Sequence, residues 1–124
     1  MLYVFLCYND EDEVFSRSQA EDRATIDALS ATLIPLEQAA RFALGVQLMT
    51  TTTAATVRLG RYPPVVLDGP CCASRRQLLQ LYMIECEDLE AALIVATDIA
   101  RASCGGEIEV RPSRWLCQNN CTSR

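Results

Sequence analysis

The stretch Val65-Val66-Leu67-Asp68-Gly69-Pro70 constrains the fold most, because it fixes where a strand ends and places an acid at that point. Three consecutive apolar residues predict a short strand. Pro70 has no N–H to give to a ladder, so strand pairing must stop there, and Gly69 accepts backbone angles that other residues do not. We therefore expect Asp68 to be held on stiff backbone at the mouth of a sheet, a common position for a working carboxylate.

Composition excludes several classes of function. The chain has 124 residues, of which 50% are hydrophobic and 22% charged, and these shares fit one compact domain. Its net charge is −5 and all eleven basic residues are arginine, so we expect no nucleic-acid partner. There is no histidine. This excludes Ser-His and Cys-His nucleophiles, a histidine general base and a His-ligated metal.

The N-terminus and the cysteines indicate the compartment. The apolar segment 2–8 is too short to span a bilayer and follows no basic region, so we expect a cytoplasmic protein without a membrane partner. Seven cysteines, an odd number, argue against a secreted disulfide framework. Cys71-Cys72 with Cys117 and Cys121 would be an unfavourable zinc site, because adjacent thiolates fit one tetrahedral metal poorly. We expect reduced thiols, no metal and no other cofactor.

The first half of the chain predicts a strand and a long helix. Residues 2–8 form the strand, and the acidic run 9–13 is interpreted either as a solvated loop leading into a helix or as a cation site. Ser18 and Glu21 match a capping box, which starts the helix. Apolar spacing continues past Pro35, so Gly45 is expected to end this helical segment.

The second half predicts a hairpin, a strand, a helix and a strand. Threonine-rich residues 46–59 favour strands, and the turn at 60–63 leads into the 65–67 strand as a hairpin. Residues 78–86 form a strand, Asp88 caps a helix, and 107–111 alternate polar and apolar up to Pro112. The order is that of a β-α-β-β-α-β ferredoxin-like α+β unit with one inserted hairpin. We expect a domain over 1–112 and a tail over 113–124.

A carboxylate and two arginines form the candidate site. Asp68, Arg58 and Arg111 are expected to cluster at one end of the sheet, provided that the hairpin register places Arg58 and Asp68 on one face. In one interpretation Asp68 caps its own turn and pairs with an arginine, stabilising the hairpin. In the other, Asp68 is a catalytic acid or base and an arginine anchors an anionic ligand. Tyr3, Tyr8 and Tyr82 either line such a pocket or belong to the core.

With Asp68-Gly69-Pro70 and Glu109-Val110-Arg111-Pro112 in place, the chain resembles the YCII-related family, and within it the DGPF-domain proteins. The resemblance runs from Met1 to Pro112. It also includes Tyr3, Tyr8, Gly45, Thr56-Val57-Arg58, Gln77-Leu78, Tyr82-Met83-Ile84-Glu85 and Asp88-Leu89-Glu90-Ala91. It implies a dimeric α/β barrel made of two face-to-face sheets, with a pocket between each sheet and its helices. It also implies a genetic association with extracytoplasmic-function sigma factors.

The sequence departs from the family pattern around that first motif. Cys71 stands where the family has an aromatic residue, Ala73-Ser74-Arg75-Arg76 replaces an acidic-basic stretch, and Leu79-Gln80 replaces a glycine pair. The wider family pairs a histidine with an aspartate, and this chain has no histidine. Three functions remain: a barrel that binds a small molecule or is weakly catalytic near Asp68, a module that regulates a sigma factor, and a former enzyme.

A homodimer is predicted independently of the resemblance. A ferredoxin-like sheet carries helices on one face, so apolar strand residues on the other face need cover. Leu2, Val4 and Leu6, or their neighbours on the opposite face of that strand, would form this contact.

Overall fold

The computed structural model describes residues 1–60, 63–103 and 105–116. Its strands are β1 (Leu2–Asp10), β2 (Phe42–Gln47), β3 (Ala55–Arg58), β4 (Val65–Asp68), β5 (Arg76–Glu85) and β6 (Glu107–Pro112). Its helices are α1 (Glu11–Phe15), α2 (Gln19–Gln38) and α3 (Leu89–Ala102), with a 3-10 turn at Thr51–Thr53. None of these helices is both long and apolar enough to cross a bilayer.

The strands form two antiparallel sheets. The main sheet has the order β2-β5-β1-β6, and β3 and β4 form a separate two-stranded sheet. The prediction of an α+β chain with a β3–β4 hairpin inserted between two strands of the main sheet is confirmed. The described residues form open sheets, and no barrel is closed within them.

The core lies between one face of the main sheet and helices α2 and α3. Alternate residues of β1 point into it, because successive side chains of a strand face opposite ways. On α3 the buried positions recur at helical spacing. The core residues are Tyr3, Phe5, Cys7, Leu29, Leu36, Tyr82, Ile84, Cys86, Ala92, Ala96 and Ile99.

On the other face of the main sheet, no helix packs within the part of the chain that the structure describes. We call this other face the open face. It comprises the residues that alternate with the core positions: the apolar Val4 and Leu6 of β1, Leu44 and Val46 of β2, and Leu81 and Met83 of β5, with the charged Glu109 and Arg111 of β6 at its edge. Leu44 and Val46 are 45% and 36% exposed. Leu2, Val4 and Leu6 thus lie on one face, opposite to the buried Tyr3, Phe5 and Cys7.

The predicted extension of α2 towards Gly45 is wrong. The helix begins as predicted, with Ser18 Oγ accepting from the Glu21 N–H and Glu21 Oε1 accepting from the Ser18 N–H. It passes through Pro35 and ends at Gln38, after which Ala40 adopts a left-handed φ of 58°. Gly45 lies inside β2, opposite Tyr82. A glycine here serves close packing and not helix termination.

Residues of the acidic run after β1 cap α1 and form an ion pair and hydrogen bonds with other segments of the chain. Asp10 is the N-cap of α1, its Oδ1 accepting from the Asp12 and Glu13 N–H groups, and its Oδ2 lies 2.8 Å from Arg75 Nη2. Glu11 accepts from the N–H and the hydroxyl of Thr51, at 2.9 and 2.7 Å. The run therefore ties α1 to the segments before and after the hairpin. Within the described ranges, no group of three or more His, Cys, Asp and Glu residues is arranged to hold a metal.

Candidate functional site: a cleft beside the β1–β5 bulge

The hairpin register does not bring Arg58 and Asp68 together. Arg58 pairs with Val65 and Asp68 with Ala55, so the two residues lie at opposite ends of the hairpin. Because side chains alternate along a strand, they also point to opposite faces. The expected contact between them is absent.

Asp68 does not cap its own turn. Its side chain is exposed and makes no hydrogen bond or ion pair with any described residue. The turn is closed instead by the Gly69 N–H bonding to Ala54 O at 2.8 Å and by the Thr56 hydroxyl donating to Gly69 O at 2.9 Å. The expectation that Asp68 caps the turn and pairs with an arginine is therefore wrong for the described chain. A catalytic role for Asp68 stays a prediction.

Arg111 lies in the other sheet. It is on the edge strand β6 opposite Val4, hence on the open face, and its Nε is 2.5 Å from Glu109 Oε2. Arg58 and Arg111 therefore belong to two separate sheets. Their roles as ligand-binding residues stay predictions.

Tyr3 and Tyr82 belong to the core. They are 5% and 4% exposed, and the Tyr82 hydroxyl donates to Gln80 Oε1 at 3.1 Å. Burial raises the pKa of Tyr82 to about 12, with the neighbouring Cys7 adding to the effect. Of the three candidate tyrosines, Tyr8 is the one that lines the cavity described next.

A β-bulge opens a cleft on the helix side of the main sheet. Cys7 pairs with Gln80 and Tyr8 with Leu78, so β5 carries one extra residue, Leu79, at this point. A bulge turns two adjacent side chains towards a similar direction and bends the strand. Leu79 and Gln80 accordingly both line the cavity, between the end of β1 and the connection from α1 to α2.

Two adjoining cavities make up this cleft. One, of about 190 Å³, reaches towards β2, and a smaller one, of about 40 Å³, reaches towards the end of α3. Both are lined by Val14 of α1, Arg17, Thr25 of α2, Leu79 and Gln80. We call the two cavities together the bulge cleft. The polar groups that both cavities share are the Arg17 guanidinium, the Thr25 hydroxyl and the Gln80 amide, and the carboxylates of Glu107 and Asp22 line the smaller and the larger cavity respectively.

Arg17 supplies the positive charge of the bulge cleft. It is half-buried in the short connection between α1 and α2, where Ser16 donates to Glu13 O and Ser18 caps α2. Its Nη2 donates to Ser103 O at 3.3 Å. A guanidinium has five N–H donors, so most donors of Arg17 make no bond to a described residue and are available to a bound acceptor. The nearby Glu21 has a lowered pKa, chiefly through its bond from the Ser18 backbone, with Arg17 adding a smaller effect.

The cysteine at the cleft is not a nucleophile. Burial raises the pKa of the Cys7 thiol to about 12, so it stays protonated at neutral pH. With no histidine or metal group in the described residues to activate it, Cys7 contributes an apolar wall.

The sequence did not single out Arg17 or Thr25, and it marked Gln80 only as part of the Leu79-Gln80 pair that departs from the family pattern. Arg17 stands between two serines in a connection that carries no periodic pattern, and Thr25 and Gln80 are ordinary residues of a helix and a strand. The bulge joins them, and a bulge leaves no mark in the apolar pattern of β5. Cys104 and the second cysteine pair, Cys117 and Cys121, lie outside the described residues.

The comparison with known families decides where this chain belongs. The sequence model of the YCII-related domain matches residues 1–115, which is nearly all of the chain. The chain belongs to the YCII-related family. A YCII-related chain of similar sequence is an uncharacterized protein of Rhizobium meliloti (strain 1021). It is 39% identical over 113 residues, which cover 90% of this chain and 91% of the relative. The DGPF branch and the link to a sigma factor stay predictions.

Proposed function

We propose that this YCII-related protein binds a small organic anion in the bulge cleft and acts as a homodimer of ferredoxin-like units. The observation that carries the binding proposal is the position of Arg17. The guanidinium of Arg17 is half-buried and has N–H donors that no described residue uses. It lies beside the apolar lining of the cleft formed at the β-bulge.

The size of the cleft suits a molecule of modest size. An apolar cavity of about 150 Å³ holds benzene in another protein, and the larger part of the bulge cleft is about 190 Å³. Leu79, Val14 and Leu29 would contact the apolar body of the ligand. Thr25 and Gln80 would fix its orientation, in the usual manner of a pocket with few polar groups.

Arg17 is the basic residue of the bulge cleft, which also contains two carboxylates. Glu107 lines the smaller cavity and is 3.5 Å from Arg76, whereas Asp22 of α2 lines the larger cavity. Arg17 has no carboxylate within ion-pair distance among the described residues. A ligand carboxylate would therefore gain a charge-assisted, two-point hydrogen bond from its guanidinium.

This proposed site differs from the one expected from the sequence. Asp68 lines neither cavity of the bulge cleft, and it lies on the hairpin. The proposal is therefore for binding, with Arg17 in the anchoring role expected of Arg58 or Arg111.

The homodimer proposal rests on the open face. Three strands, β1, β2 and β5, present apolar side chains there, and no helix among the described residues covers them. Packing two open faces together would remove this surface from water, at roughly 25 cal/mol per Å² of apolar area. Two sheets packed in this way would complete the α/β barrel that one chain leaves open.

The binding proposal is tested with simple carboxylates as probes. Benzoate and hexanoate, each at millimolar concentration, should shift the backbone amide signals of Thr25, Leu79 and Gln80 in heteronuclear NMR spectra. Benzamide and hexanamide, which match them in shape and lack the charge, should bind at least fivefold more weakly. Arg17→Gln should remove this difference because the guanidinium no longer meets the carboxylate.

Arg23→Gln is the matched control, since Arg23 is an exposed arginine of α2 that lines neither cavity of the bulge cleft. It should leave the preference for carboxylates unchanged. Equal binding of acids and amides, or signals that shift only around Asp68, would contradict the proposal.

A further inference from the structure

Two residues of opposite charge line the larger cavity of the bulge cleft. Arg17 is its basic residue, and Asp22 of α2 is its acidic residue. The side chain of Asp22 makes no hydrogen bond or ion pair among the described residues, and Arg17 uses one donor on Ser103 O. The two side chains form no ion pair with each other. A ligand that carries both charges therefore has a partner of opposite sign for each of them.

Both charges lie at the start of α2, and apolar residues follow along the helix. The residues of α2 that line this cavity recur three, four and seven positions after the first, which is the spacing of one helix face; they are Asp22, Thr25, Ile26 and Leu29. Arg17 lies in the connection just before this helix. Leu29 lies about 10 Å further along the helix axis than Asp22, at 1.5 Å per residue, and is buried. The cavity is therefore charged at one end and apolar at the other.

The hydrogen-bonding groups of the cavity divide into donors and an acceptor. Gln80 Oε1 accepts from the Tyr82 hydroxyl at 3.1 Å. The amide NH2 of Gln80 makes no bond to a described residue, so it is a donor for the cavity together with the Arg17 guanidinium. The Asp22 carboxylate only accepts. This division matches a ligand that has both a carboxylate and an ammonium group.

We propose that the bulge cleft binds an α-amino acid with an apolar side chain. The ligand carboxylate binds Arg17, its ammonium group binds Asp22, and its side chain extends along α2 towards Leu29. This inference rests on the proposed function, because the contact between a carboxylate and Arg17 is the same in both. It adds the ammonium group and the order of the three groups in the cavity.

The order of these groups distinguishes α-amino acids from related molecules. An ω-amino acid has its two charges at opposite ends of an apolar chain, so one charge would lie among the apolar residues near Leu29, where an unpaired charge is costly. An α-amino acid has both charges at one end, as the cavity does. A cavity of about 150 Å³ holds benzene in another protein, so about 190 Å³ accommodates a side chain of the size of that of leucine.

The inference is tested with free leucine and 4-methylpentanoate, which differ only in the amino group. Their affinities for the full chain are measured at pH 7 by titration in heteronuclear NMR spectra. Leucine should bind at least threefold more tightly, a modest factor because Asp22 is exposed. Asp22→Asn should lower the affinity for leucine to that for 4-methylpentanoate. Asp27→Asn is the matched control, an exposed carboxylate of α2 that lines neither cavity, and it should keep the difference.

Failure of this inference and failure of the proposed function give different results. The spectrum of Asp22→Asn without ligand should match that of the wild type outside the first turn of α2, which separates a loss of leucine binding from a loss of fold. Equal binding of leucine and 4-methylpentanoate by the wild type would overturn the amino-acid assignment and leave the carboxylate site standing. Tighter binding of 6-aminohexanoate than of leucine would overturn the placement of both charges at one end. If neither leucine nor 4-methylpentanoate binds, the inference and the proposed function are both wrong.

Discussion

Gly45 of β2 lies directly against the ring edge of Tyr82, its cross-strand partner on β5. A Cβ atom at position 45 would stand 3.0 Å from Tyr82 Cδ1 and 2.9 Å from Phe42 Cζ. The two rings are 6.3 Å apart between centroids and tilted by 55°. Because Gly45 has no side chain, the rings of Phe42 and Tyr82 can both pack against it at this end of the core.

We predict that Gly45→Ala destabilises the chain by about 1–3 kcal/mol, the usual cost of overpacking. Tyr82 is buried and hydrogen-bonded, so it has little freedom to move away. Gly60→Ala is the control, because a Cβ there meets no atom within 4 Å. The measurement is urea unfolding of both variants. Equal urea midpoints for Gly45→Ala and Gly60→Ala would contradict the prediction, because they would show that the two rings move apart without a loss of stability.

The second prediction separates Thr56 from Asp68 at the hairpin turn. Thr56→Val removes the hydroxyl bond to Gly69 O, worth about 0.5–1.5 kcal/mol, whereas Asp68→Ala removes no bond to a described residue. The Gly69 amide, which bonds to Ala54 O, reports on the hairpin by its hydrogen exchange. After correction for intrinsic rates, the exchange rate of this amide should be several-fold higher in Thr56→Val and should not change in Asp68→Ala. The reverse order would restore a structural role for Asp68.

A third prediction concerns acid. Bonds from the Glu13 backbone, together with Arg75, hold the pKa of Asp10 below its usual range. A lowered pKa means that Asp10 stabilises the fold above the unfolded-state pKa of about 3.9 and loses this effect as pH falls further. Asp10→Asn keeps an N-cap acceptor and loses the charge. It should lower the Tm at pH 7, and the difference from the wild type should shrink towards pH 2.

The control for this prediction is Asp27→Asn, an exposed carboxylate of α2. At pH 7 it should lower the Tm less than Asp10→Asn does, because Asp27 makes no ion pair with a described residue. A deficit of Asp10→Asn that persists unchanged at pH 2 would mean that its cause is not the carboxylate charge.

Thiol reactivity gives a fourth prediction. Cys71 and Cys72 are exposed, whereas Cys7 and Cys86 are buried, and burial raises the pKa of Cys7 to about 12. At pH 8 iodoacetamide should modify Cys71 and Cys72 rapidly and leave Cys7 and Cys86 unmodified until the chain is unfolded in urea. Peptide mapping by mass spectrometry distinguishes these sites. Early modification of Cys7 would mean that the core opens readily beside the bulge.

The fifth prediction concerns the open face. Met83→Glu places a carboxylate at its centre, next to Val4 and Leu44. If two open faces pack together and the contact exceeds about 1,000 Å² in total, this charge should convert the dimer to monomer at micromolar concentration. Light scattering measures the mass. A monomeric wild type under the same conditions would contradict the homodimer.

Much of the fold was predictable because its signals are local. The capping box at Ser18, the Asp88 cap and the alternation of β6 each depend on residues within one turn or one strand, and all three are confirmed. Gly45 was misassigned because a glycine after an apolar stripe fits a helix end as well as a close approach. Only the ring of Tyr82, distant in sequence, decides between them.

The site was less predictable because register and bulges depend on pairing between strands. Arg58 and Asp68 flank the hairpin in sequence, yet the pairing of Ala55 with Asp68 fixes them at its opposite ends. Arg17 and Gln80 meet at one cleft only because β5 contains one residue more than its partner strand at that point. The amino-acid composition of the α1–α2 connection and of β5 does not predict this bulge.

The extra residue at Leu79 also changes how the chain can diverge. A cleft that depends on side-chain size is altered by substitution, whereas the bulge cleft depends on a mismatch in strand length. Deletion of one residue at this position would restore an uninterrupted ladder and draw Gln80 and Leu78 into regular alternation. The presence of this cavity therefore depends on the number of residues in β5, whereas the core on the same sheet depends on which residues they are.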